Sequence, residues 1–171
     1  MKHLVLGGAR SGKSHFAEQT ASERGKQLRY VATAQARDSE MAARIAHHQH
    51  QRDTGWILLE EPVHLATALN SINCSNNCIV IDCLTLWLSN CLEQNCWQQE
   101  KLALLSLLPE LTADVILVGN EVGTGVVPMG ELSRQFVDEN GWLHQDLARV
   151  CSHVTTVIAG LPLILKKPVE S

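Results

Sequence analysis

The stretch Gly7 to Ser14, G-G-A-R-S-G-K-S, constrains this chain more than any other part of it. It has the spacing G-x-x-x-x-G-K-[S/T], follows the apolar run Leu4-Val5-Leu6 and precedes a stretch patterned as a helix. Gly7, Gly8 and Gly12 let the backbone curl round an anion with its N–H groups turned inward, with Ala9, Arg10 and Ser11 completing the curve. A helix opening at Lys13 then points the positive end of its dipole at the same charge. Lys13 is spaced to reach terminal phosphates, and Ser14 to offer a hydroxyl to Mg²⁺. The competing reading, an accidental glycine-rich turn, satisfies neither the lysine nor the serine.

Short apolar runs recur along the chain at Leu28 to Ala32, Ile57 to Leu59, Ile79 to Ile81, Val115 to Val118 and Val154 to Ile158. Helix patterns separate them at about 13–24, 38–52, 62–70, 84–94, 97–108 and 129–151. Runs apolar on consecutive residues suit parallel strands covered on both faces. The expectation is one α/β domain over residues 1–171, resembling a P-loop NTPase, with a mostly parallel central sheet flanked by helices. Asn73 to Asn77 reads as a polar turn, and the tail after Leu165 as frayed.

With 171 residues and 45% hydrophobic side chains the chain can bury a core unaided. Fourteen basic against eighteen acidic residues argue against a nucleic-acid surface. The six cysteines show no C-x-x-C pair and no zinc spacing, so free thiols are expected. The start lacks the apolar core of a signal peptide and no run is long enough to span a membrane, which together point to the cytoplasm.

Asp82 closes the run Cys78 to Ile81, where a nucleotide site needs a second Mg²⁺-orienting carboxylate. An ordinary strand-ending Asp is the alternative. In the 38–52 pattern, Met41, Ile45 and His48 form one stripe, and Arg44, His48 and Arg52 follow one another at i+4. Two guanidiniums beside an imidazole keep it neutral and offer donors to phosphate, and a neutral imidazole there can attack phosphorus. A solvated basic helix face fits the same pattern. His47 and His50 lie off the ridge. The segment Asn120 to Pro128, N-E-V-G-T-G-V-V-P, follows a strand where α/β sheets bind ligands; a tight turn explains its glycines equally well.

Taken with Y-V-A-T-A-Q at 30–35, R-I-x-x-H-x-x-x-R at 44–52, D-C-L-T-L-W-L-S-N at 82–90 and F-x-D-x-x-G-W-L-H-Q at 136–145, these segments resemble the bifunctional adenosylcobinamide kinase / adenosylcobinamide-phosphate guanylyltransferase family. The resemblance implies phosphorylation of adenosylcobinamide, then GMP transfer from GTP to that phosphate through a GMP–histidine intermediate, giving adenosylcobinamide-GDP. By position the histidine is His48, with Lys13 as the other catalytic residue. The nucleotide contacts it implies fall on Gly7, Gly8, Ala9, Arg10, Ser11, Gly12, Lys13 and Ser14; on Thr33, Ala34 and Gln35; on Gln49, His50, Gln51 and Arg52; and on Glu60 and Asp82. It further implies Mg²⁺ held by Ser14 and Asp82, GTP (or ATP for the kinase step), a corrinoid substrate and a homo-oligomer of trimeric form. Thr54-Gly55 departs from the family where a proline often stands, as does the Asn- and Cys-rich stretch 71–78. Two other readings use the same loop: a small-molecule kinase without the covalent step, and a GTP-dependent regulatory ATPase or GTPase, which the absence of N-K-x-D weakens.

Overall fold

The computed structural model describes residues 1–35 and 55–168, and the structural statements below concern those residues. The predicted helix over 38–52, with Arg44, His48, Gln49, His50, Gln51 and Arg52, lies outside them.

The strands β1 (Lys2–Gly7), β2 (Gln27–Ala32), β3 (Ile57–Glu60), β4 (Asn77–Asp82), β5 (Asp114–Asn120), β6 (His153–Ile158) and β7 (Leu161–Lys166) form one sheet in the order β3-β2-β4-β5-β1-β6-β7. All neighbours run parallel except β6 and β7. Alternation along the strands divides the apolar residues between two faces. Val5, Cys78, Val80, Ile116 and Val118 turn toward helix α1 (Lys13–Ser22), which meets them with the small side chains of Ala17 and Ala21. Leu4, Ile79, Ile81, Val115 and Leu117 turn the other way. There they pack against α2 (Leu65–Ser71), α3 (Leu84–Glu93), α4 (Trp97–Leu107) and α5 (Glu131–Val150). Consecutive apolar residues in the sequence therefore become two cores with the sheet between them.

Trp87 anchors the larger core. It is fully buried, donates its indole N–H to the Val63 carbonyl at 2.6 Å and meets Trp97 edge-on at 5.2 Å. Removing a side chain of that size from such a site costs about 3–5 kcal/mol.

The remaining predicted helices form, with trimmed ends. The 62–70 pattern starts helical only at Leu65, because the Glu61 carboxylate accepts the backbone N–H groups of Val63 and His64 at 2.9 and 2.8 Å and makes a turn first. Asn77, expected in a turn, opens β4; its buried side chain donates to the Ile72 carbonyl at 2.8 Å. The larger correction is at the C-terminal end. The sequence reading places no strand at Leu161–Lys166 and expects fraying after Leu165, yet β7 pairs antiparallel with β6 through Lys166. The turn between them places Ala159 and Gly160 in the left-handed region, φ 52° and 78°, which matches the twist of a tight hairpin. Lys166 then donates its ammonium to the Ala148 carbonyl at 2.8 Å. No helix among the described residues is long and apolar enough to cross a membrane.

Away from the loop end of the sheet, buried Asp114 at the start of β5 receives the N-terminal ammonium, Arg24 at 3.0 Å and Lys26 at 2.8 Å. Burial pushes its carboxyl up, but hydrogen bonds from Lys26, the N-terminal ammonium and Arg24 outweigh this and hold it well below the ordinary carboxylate range. A carboxyl depressed in the folded state stabilises above its unfolded pKa of about 4, and that contribution fades as pH falls toward the folded value. Asp114→Asn should therefore cost about 1–3 kcal/mol at pH 7, with the gap to wild type narrowing at pH 3. Urea unfolding at the two pH values measures it, and an equal gap at both would show that the ion cluster is not the cause.

Candidate active site

Every described residue that the sequence singles out for nucleotide or metal stands at the edge where the parallel strands end. The loop Gly7–Gly12 leaves β1 and enters α1 at Lys13. Its shape depends on two glycines. A Cβ on Gly7 would lie 2.4 Å from Ser11 Oγ and 2.6 Å from the Val157 carbonyl oxygen, so nothing larger fits. Gly12 has φ 92° and lies against Gly160, where a Cβ would come within 3.2 Å of the Gly160 Cα. The Ser11 carbonyl accepts the Gly160 N–H at 2.8 Å, so the β6–β7 turn buttresses the loop from behind. Arg10 sits at φ 57°, exposed at the tip with Gly8 and Ala9. Ser11 Oγ is buried and has no partner among the described residues. Lys13 is only 8% exposed and donates its ammonium to the Gly8 carbonyl at 3.2 Å, across the mouth of the loop. Ser14, half-buried, follows in the first turn of α1.

Strand order puts β5 between β1 and β4, so the loop and Asp82 are separated by one strand. The end of that strand is tied to both neighbours. Glu121 N–H donates to the Gly7 carbonyl at 3.0 Å, and Asn120 N–H to Thr85 Oγ1 at 2.8 Å. The Glu121 carboxylate accepts the Gly123 N–H and so shapes the N-E-V-G-T-G loop from within. Behind Gly119 lies His144, buried, with Nε2 unpartnered among the described residues; burial lowers its pKa, with the Glu121 charge opposing.

Asp82 is half-buried, and one of its carboxylate oxygens accepts the Tyr30 hydroxyl at 2.8 Å. The next residue, Cys83, has its thiol pushed up to about 12 by burial and by the Asp82 charge, with the Lys13 ammonium pulling the other way. Both charges therefore act on the space around Cys83. Thr33 closes this corner: its hydroxyl donates to the Cys83 carbonyl at 2.7 Å and accepts the Cys83 N–H at 2.9 Å, while Asn90 donates to the Thr33 carbonyl at 2.9 Å. The Thr33 side chain is thus fully buried and holds two strand ends together. Ala34 and Gln35 follow it, half exposed. Glu60 ends β3, exposed, opposite Ala32. From β1 to β3 there are four strand spacings, about 19 Å.

A hydroxyl and a carboxylate are hard oxygen donors, and Mg²⁺ commonly takes only one or two protein ligands besides phosphate oxygens and water. Ser14 and Asp82 match that donor set, and among the described residues no cluster of three or more His, Cys, Asp or Glu offers a metal cage instead. The arrangement provides a tight glycine-bearing loop, a buried cation and two hard oxygens at one sheet edge.

The family described as cobinamide kinase / cobinamide phosphate guanyltransferase matches residues 3–165. The chain belongs to this family. It is 53% identical over 169 residues to the bifunctional adenosylcobalamin biosynthesis protein CobP of Pseudomonas aeruginosa, spanning 97% of this chain and 98% of that protein. It is 34% identical to the Escherichia coli bifunctional adenosylcobalamin biosynthesis protein CobU, spanning 97% and 100%. Among solved structures, the RadB recombinase shares the fold at a TM-score of 0.52 and 17% identity, over 91% of this chain and 73% of that one. Sequence reasoning misses the Thr33–Cys83–Asn90 network and the buried His144; T-A-Q, D-C-L-T-L-W-L-S-N and the His of G-W-L-H-Q carry the signal, but only as pattern.

Proposed function

We propose that this member of the family runs both reactions from the one phosphate-binding loop, phosphorylating the corrinoid alcohol and then passing GMP from GTP to the new phosphate through His48. The observation that carries this is the loop itself, with Lys13 buried across its mouth and Asp82 one strand away. Lys13 holds the β- and γ-phosphates, the loop N–H groups line the rest of the chain, and Ser14 and Asp82 hold Mg²⁺. When bound, that ion neutralises charge developing on the phosphate oxygens. A nucleotide anchored at β1 can meet Glu60, about 19 Å away, only through its sugar or base, so Glu60 reads that end. Thr33, Ala34 and Gln35 stand between them on the same edge.

His48, flanked in sequence by Arg44 and Arg52, attacks the α-phosphorus of GTP, and pyrophosphate leaves. The resulting phosphoramidate hands GMP to cobinamide phosphate. GTP, or ATP, serves the kinase step. A reducing cytoplasm suits six free cysteines. Assembly as a homo-oligomer, a trimer on the family resemblance, suits β7, where Leu161, Leu163, Ile164 and Leu165 are all more than half exposed.

The test is intact-mass spectrometry after incubation with GTP and Mg²⁺, with assay of cobinamide phosphorylation alongside. A GMP-sized increment on one histidine, labile in acid and stable in base, is the expected result; phosphorylation without any adduct would leave only a kinase. Asp82→Asn should raise the Mg²⁺ concentration for half-maximal rate by on the order of tenfold, since an amide holds the ion less well than a carboxylate. An unchanged Mg²⁺ titration would make Asp82 a structural residue.

A further inference from the structure

A cleft of about 690 Å³ opens between the end of α3, the start of α4 and the first turns of α5, formed by residues that play no part in the nucleotide site. Its floor is apolar, made by Trp97 and Phe136, with Leu132 at the lip and 80% exposed. Its walls carry carboxamides, Asn95, Gln98 and Gln135, all exposed.

These walls are set in place. Buried Glu139 accepts the Trp97 indole N–H at 2.7 Å and the Gln98 amide at 3.2 Å, fixing both side chains from beneath. Asn95 follows α3 in the left-handed region, φ 55°, and backbone bonds close the helix there: Gln94 N–H to the Asn90 carbonyl and Asn95 N–H to the Leu92 carbonyl, each at 3.1 Å, and Cys96 N–H to the Cys91 carbonyl at 3.0 Å. The Asn95 side chain is not needed for that cap.

We propose that this cleft seats the corrinoid, an inference that rests on the function given above. A corrinoid of the cobinamide type presents an apolar macrocycle rimmed with uncharged carboxamide arms. A carboxamide both donates and accepts, so wall amides pair with substrate amides without any charged partner, and the apolar floor receives the ring. Among the described residues no lysine or arginine lines the cleft, so an anionic ligand finds no counter-charge from them there.

Position supports the same occupant. Phe136 is one helical turn, about 6 Å, before Asn140. Asn140 donates to the Asn120 carbonyl at 3.1 Å, and the adjoining Glu121 is bonded to Gly7 of the phosphate loop. A macrocycle held in the cleft therefore lies beside the strand end that borders the loop, and its hydroxyl-bearing arm extends toward the phosphates.

The test is equilibrium dialysis of the full chain against adenosylcobinamide, read by corrin absorbance, for wild type, Leu132→Glu and Gln135→Ala. Both side chains are exposed, so neither change disturbs the core. Leu132→Glu should weaken binding about tenfold or more by setting a charge against the ring, and Gln135→Ala about fivefold by removing one hydrogen bond. GTP affinity, measured on the same samples, should stay at the wild-type value. If wild type binds the corrinoid and both variants bind it equally well, the cleft is not the seat, and the functional reading stands. If wild type binds no corrinoid, the functional reading and the cleft fall together.

Discussion

His48→Ala abolishes the GMP adduct and lowers guanylyl transfer by on the order of 10⁴-fold or more, while cobinamide phosphorylation survives. The first two effects follow from removing the only atom proposed to bond the α-phosphorus. The third follows because γ-phosphoryl transfer needs positioning and charge, which Lys13, Ser14 and the loop supply. Label from α-labelled GTP should remain on wild type after denaturation, and label from γ-labelled GTP should leave with pyrophosphate. His47→Ala, one residue away on the predicted helix, should still form the adduct. Labelling of His48→Ala with loss from His47→Ala would move the nucleophile to His47. Full labelling of both variants would end the covalent mechanism on this segment.

Lys13→Ala is expected to remove both activities together, each by at least about 10³-fold, with the fold intact. The ammonium donates to the Gly8 carbonyl, a contact worth about 1 kcal/mol. Its greater value lies in a position 8% exposed at the mouth of the loop, where water screens a phosphate charge poorly. Thermal unfolding within a few degrees of wild type, with both reactions lost, is the expected pair of results. Near-normal turnover in either reaction would remove the loop from that reaction's mechanism.

How much the sequence discloses depends on the range of the interactions involved. The phosphate loop is legible because strand, glycines, lysine and helix are contiguous, and the local chain imposes the shape. The parallel sheet is legible from runs such as Ile79-Val80-Ile81, whose consecutive apolar residues require cover on both faces. Strand β7 is not, although Leu161 to Leu165 is apolar: Pro162 interrupts it, and Ala159-Gly160 lacks the Asn-Gly or Asp-Gly that usually marks a two-residue hairpin. The dual role of Thr33, bonded to Cys83 fifty residues away, has no local signature. Nor has the cleft, since Trp97 and Phe136 come together only when α4 packs against α5. Asp82 is legible as a site residue; its Tyr30 partner is not, because that pairing is set by the β2–β4 register.

The bond from Gly160 N–H to the Ser11 carbonyl also ties nucleotide binding to the order in which the chain is made. Strand β1 lies between β5 and β6, and the turn that supports its loop follows β6. At ordinary translation speeds the ribosome needs on the order of 10–30 s to travel from Gly12 to Gly160. For most of that interval the earliest-made motif has neither of its flanking strands, and for all of it the buttress is missing. A nascent chain that stops short of Gly160 therefore presents the loop without this bond, worth about 1 kcal/mol, and nucleotide should protect it less than it protects the whole chain.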